Sequence, residues 1–194
     1  MIKLDWPGAE ELLFERSQAI LRRFGLEHPE EPVSLFFYTV DSEVAGVALN
    51  FDTPANSLHG AQAHQRREIE YRNQLFASER GWQQSHYFVA HPTRQIDDFN
   101  RHGSCKYELF EFVELAAWED CFNGNEETSE KELEDRIVTA LWRVTDRLVK
   151  AKAFDVLKRA APFRIAFAFH DGAMVVLRIL DWPPVGQFGC ATAG

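Results

Sequence analysis

The alternation of apolar and polar positions divides the chain into helical and extended segments. Leu13, Ile20 and Phe24 recur at helical spacing beside Leu12 and Leu21, with Glu11, Glu15, Gln18 and Arg22 on the opposite face, which predicts a helix over Pro7 to Phe24. Gly25 is placed to supply a left-handed turn at its end, with Leu26 folding back on the last turn and Pro29 stopping continuation. Val33 to Val40 and Val44 to Phe51 are rich in β-branched and aromatic residues and are joined by Asp41-Ser42-Glu43, the pattern of a hairpin. Thr53-Pro54 then reads as a helix cap followed by proline, opening a long polar helix to about Phe76. Its thin apolar stripe, Leu58, Ala61, Ile69 and Phe76, predicts an outer helix with one buried edge.

From residue 81 to 105 the periodicity fades among Gly81, Pro92 and Gly103, so this stretch reads as an irregular insertion, with Ser85 to Ala90 as a short strand. Tyr107 to Glu114 alternates without a wholly apolar face, which suits a strand at a sheet edge. A short helix through Ala116, Trp118 and Phe122 ends at Gly124. Ser129 with Glu132 forms a capping box, and Leu133, Ile137, Leu141, Val144 and Leu148 make the clearest helical stripe in the chain.

Phe163 to Leu180 holds two strand-like runs around Asp171-Gly172, a dipeptide favoured in two-residue turns. That turn would pair Phe169 with Met174, Phe167 with Val176, Phe163 with Leu180, Ala168 with Val175 and Ala166 with Leu177, leaving both faces apolar and the hairpin mid-sheet. Residues 185–194 read as a loose tail. The order predicts one α+β domain over 1–194: about five strands, antiparallel or mixed, with two hairpins and three main helices packed on the sheet. The 16 Phe tend to alternate with period two in the predicted strands and are read as core.

Charge changes this picture. The 194 residues carry a net charge of -9, but the segment from Tyr107 to Asp135 holds eleven acids and one base, a net -10 that leaves the rest at +1. No Lys/Arg run exceeds a pair, so neither nucleic acid nor an anionic membrane is an expected partner. There is no apolar run of membrane-spanning length and no secretory signal pattern, and three widely spaced Cys do not make a disulfide framework; the expected location is the cytoplasm. Phe110, Phe112, Trp118 and Phe122 fall inside the acidic segment. Acids interleaved with aromatics suit capture of a basic protein, through Glu111, Glu114, Trp118, Glu119 and Asp120. The competing reading places Trp118 and Phe122 in the core and leaves a solvated acidic face.

Candidate chemistry is sparse. His102 and Cys105 have a spacing that a metal would accept, with His86 or His91 as third ligand, and Ser104-Cys105 beside His102 is the candidate nucleophile for a small hydrolase. The chain contains no dinucleotide fingerprint, phosphate loop, zinc-protease helix or nucleophile elbow, and no cofactor is expected. No feature fixes an oligomeric state.

Phe36 to Tyr38, Asn50 to Leu58, Trp118-Glu119 and Val175 to Asp181 together resemble a bacterial domain-of-unknown-function family of small α+β proteins. The resemblance spans most of the chain but not the segment from Gly81 to Cys105. It brings no catalytic residues. Similar small acidic proteins sit beside toxins as immunity proteins. The acidic segment, with no recognisable catalytic motif, makes a non-enzymatic protein-binding domain, plausibly of the immunity type, the leading expectation; a small hydrolase or metal-assisted enzyme and an adaptor or scaffold subunit are the alternatives.

Overall fold

The computed structural model describes residues 5–41, 45–77, 105–116, 118, 130–170, 172 and 174–181. The segment 81–104, with its expected strand at 85–90, the capping Ser129, the turn residue Asp171 and the tail 185–194 lie outside them. The elements run α1 (Trp6–Glu27), β1 (Val33–Asp41), β2 (Gly46–Asp52), α2 (Pro54–Ala77), β3 (Tyr107–Glu114), α3 (Glu130–Lys150), a 3₁₀ turn (Ala153–Val156), β4 (Arg159–Phe169) and β5 (Val175–Leu180).

The five strands form one mixed sheet in the order β3-β2-β1-β4-β5. β1 is central: it pairs antiparallel with β2, Phe37 opposite Asn50, and parallel with β4, Phe37 opposite Ala166. The expected first hairpin is therefore present, and β3 lies at an edge, antiparallel to β2.

Period-two alternation gives the sheet two faces. On one, Phe36, Tyr38 and Val40 of β1, Val47, Leu49 and Phe51 of β2, and Phe163, Ile165 and Phe167 of β4 share a core with α1 and α3. Leu133, Ile137, Leu141, Val144 and Leu148 of α3 are all buried in it, as their spacing requires. Ser17 of α1 and Tyr38 of β1 meet there through a buried hydroxyl pair at 3.1 Å. The other face carries Leu35, Phe37, Ala166 and Ala168 with Cys105.

Three expectations are corrected. The helix α1 does not stop at Gly25: it runs to Glu27, His28 is its C-cap, and Leu26 is 83% exposed rather than folded back. Gly25 answers a packing need, since a Cβ there would stand 2.6 Å from the carbonyl oxygen of Val156 in the 3₁₀ turn. In α2, Leu58 and Ile69 are exposed, and the buried contact of its first turn is Ser57.

The second hairpin pairs Phe163 with Leu180 as expected, but a bulge between Ile165 and Ala166 shifts the register, so Ala166 faces Val176 and Phe167 faces Val175. β5 is the other edge of the sheet, and Val175, Val176 and Ile179 are exposed. The hairpin is thus not mid-sheet. No helix among the described residues is long and apolar enough to cross a membrane.

Candidate binding edge

The acidic strand β3 is positioned by polar groups on the last residues of β2. Asn50 is buried; its amide nitrogen donates to the Phe37 carbonyl and to Thr39 Oγ1, each at 3.1 Å, and its Oδ1 accepts the Leu109 N–H at 2.8 Å. The ladder between β2 and β3 is irregular at this point, between Leu49 and Phe51. Asn50 thereby satisfies a backbone donor of the irregular stretch. Two residues on, the buried carboxylate of Asp52 accepts from Ser57 Oγ at 2.6 Å, Asn56 Nδ2 at 2.7 Å and the Lys106 N–H at 3.1 Å. Thr53 Oγ1 takes the Asn56 N–H at 3.2 Å, so the expected cap of α2 is formed. One short stretch, Asn50 to Ser57, therefore ends β2, starts α2 and fixes the entry to β3.

A second clamp holds the same entry. Lys106 Nζ lies 2.8 Å from Glu31 Oε1, and the Tyr107 hydroxyl donates to Glu31 Oε2 at 3.2 Å. The hydrogen bond from Lys106 holds the Glu31 carboxyl below its ordinary range, and the same bond raises Lys106.

Along β3 the acids have different surroundings. Glu111 is bound by Arg23 of α1 at 2.7 Å; the same guanidinium donates to the Phe110 carbonyl at 3.1 Å and stacks 4.6 Å above the Phe110 ring. Glu108 and Glu114 are exposed, and no described cation lies within ion-pair distance of either. Between them Leu109 is 66% exposed, with φ of 49°. A non-glycine residue in that left-handed region carries strain of about 1–2 kcal/mol. Beside the strand, a groove of about 490 Å³ runs between α1 and β3, lined by Leu12, Arg16, Ala19, Ile20 and Glu114 among others.

The remaining sequence candidates fall elsewhere. Trp118 is fully buried, its ring centroid 5.7 Å from that of Trp6, which puts it in the core as the competing reading has it. Glu119, Asp120 and Phe122 lie outside the described residues, as do His86, His91 and His102. The acidic block continues into α3, where Glu132 is paired with Arg136 at 2.8 Å while Glu134 and Asp135 are exposed.

Cys105 is buried against the second sheet face, and its thiol is pushed up, first by burial and then by the charges of Asp52 and Glu108. A nucleophilic cysteine needs the opposite environment, because the thiolate is the reactive form. Among the described residues no group of three or more His, Cys, Asp and Glu is arranged to hold a metal.

Spacing alone did not single out Asn50 and Asp52. The signal present was Thr53-Pro54 directly after Asp52, marking a helix start whose preceding polar residues need partners. Compared with known proteins, the chain matches no family model, no curated protein and no solved structure.

Proposed function

We propose that this chain is a non-enzymatic protein-binding domain that captures a basic partner on its β3 edge, as an inhibitor of the immunity type would. The observation that supports this reading most is the state of β3. Glu108 and Glu114 are exposed without a described counter-ion, and Leu109 is held between them in a strained, solvent-facing conformation. Strained backbone clusters where a ligand is gripped, and unpaired charge at an interface rim speeds encounter with a partner of opposite sign. Arg23 neutralises Glu111, so the binding charge is assigned to Glu108 and Glu114 instead.

Co-expression with the product of a neighbouring toxin-like reading frame tests the proposal. Wild-type protein is expected to rescue growth and to co-purify with that product, and Glu108→Lys with Glu114→Lys to do neither while remaining folded. Rescue that survives both reversals contradicts the proposal. A stable complex without growth rescue identifies an adaptor rather than an inhibitor.

A further inference from the structure

β3 ends the sheet order, and the direction of its backbone groups follows from one bond. The Leu115 N–H donates to the Ala45 carbonyl at 2.9 Å, so the polar groups of Leu115 and Val113 face β2. By the period of two, those of Phe112 and Glu114 face away from β2, where no described strand pairs with them. Phe110 has its carbonyl oxygen occupied by Arg23, which bounds the open stretch. The groove beside it has Leu12, Ala19 and Ile20 on the α1 side, and its lining includes Arg16 and Glu114, neither in a described ion pair.

We propose that an extended segment of a basic protein adds to β3 as a sixth strand and seats an apolar side chain over Leu12 and Ala19. The basic character of the segment rests on the function proposed above. Strand addition supplies affinity through the main chain and specificity through alternate side chains, and this site offers both an edge that no described strand pairs with and an adjoining groove. Lys or Arg residues flanking the apolar one meet Glu108 and Glu114, and Arg16 takes a carboxylate or carbonyl oxygen of the same segment. A second copy of the chain is the wrong occupant. Pairing β3 with itself would set Glu108, Glu111 and Glu114 against like charges, and directly opposed like charges destabilise a sheet.

Selection of a random-peptide library on the intact protein, followed by hydrogen exchange with an enriched synthetic peptide, tests this. Enriched peptides are expected to carry an apolar residue flanked by Lys or Arg and to slow exchange of the Phe112 and Glu114 amides. Ala19→Phe fills the groove from an exposed position, and Glu114→Pro removes only an outward donor, which an edge strand tolerates. Each is expected to weaken the peptide roughly tenfold or more with unchanged melting temperature. Binding unaffected by both variants, with those amides unprotected, overturns the strand site. If Glu108→Lys still abolishes that binding, the acidic-surface reading survives on its own. Peptides that need the groove yet ignore Glu108→Lys keep the strand site and overturn the basic partner. Absence of any enriched peptide, or a doubled mass lost in Glu114→Pro, also overturns the proposal, the latter in favour of a second copy.

Discussion

Single polar atoms decide much of the local energetics. Thr145 of α3 is fully buried and its hydroxyl has no hydrogen-bond partner among the described residues, whereas the buried hydroxyls of Ser17 and Tyr38 pair with each other. An unsatisfied buried hydroxyl costs about 1–3 kcal/mol, so Thr145→Val, nearly the same in shape, is expected to stabilise the fold by about 1 kcal/mol in urea denaturation. Ser17→Ala should do the reverse by orphaning the Tyr38 hydroxyl. Equal midpoints for the two variants would show that burial at these sites is less complete than described.

Cys105 gives a second prediction at this scale. Because burial and the charges of Asp52 and Glu108 hold its thiol protonated, it is expected to resist iodoacetamide in the native state and to react after unfolding. In a Cys121→Ser, Cys190→Ser background, fast native alkylation would restore Cys105 as a candidate nucleophile.

At the scale of elements, Gly25 shows how one residue type serves two ends. Alanine ordinarily improves a helix interior by about 1 kcal/mol over glycine, but here its Cβ meets the Val156 carbonyl. Gly25→Ala is therefore expected to destabilise by about 1–3 kcal/mol, as over-packing does, and a gain in stability would mean that the 3₁₀ turn does not press on α1.

The same residue explains a misread boundary. Glycine at a helix end and glycine under a crossing element look alike in sequence; only the packing separates them. The features legible beforehand were those written in local periodicity: the stripe of α3, the first hairpin, and β3 from Tyr107 to Glu114 as an edge. The parallel pairing of β1 with β4 joins residues more than a hundred positions apart, and the bulge at Ile165 depends on both strands of the hairpin at once. Exposed Val175, Val176 and Ile179 read as a buried strand because an apolar run does not reveal which side lacks a neighbour. Of the binding candidates, Glu114 is exposed on β3, Glu111 is paired with Arg23, and Trp118 is buried.

At the scale of the whole molecule, ion pairs among the described residues tie the elements together, while Glu108 and Glu114 stand exposed on the β3 edge. Arg143 to Glu10 at 3.1 Å and Arg147 to Glu11 at 2.8 Å tie α3 to α1, and Lys106 to Glu31 ties the start of β3 to the segment before β1. Each exposed pair is worth little alone. Glu31 and Asp146 nevertheless both sit below their ordinary pKa in the fold, held by Lys106 and by Lys150. Their stabilisation is complete above the unfolded values of 4.5 and 3.8 and is lost as pH falls through the lower folded ones. The melting temperature is expected to drop over that range, and Glu31→Gln to lessen the drop; an unchanged slope in that variant would remove Glu31 from the account.

We propose that β3 presents Glu108, Leu109 and Glu114 to a basic partner. The dissociation constant of a captured partner, measured by titration calorimetry for wild type and for Glu108→Lys with Glu114→Lys, tests it most directly. Loss of roughly a hundredfold or more in affinity, with unchanged melting, is the expected result, since reversal turns two attractions into repulsions. Equal affinity for the two proteins would contradict it.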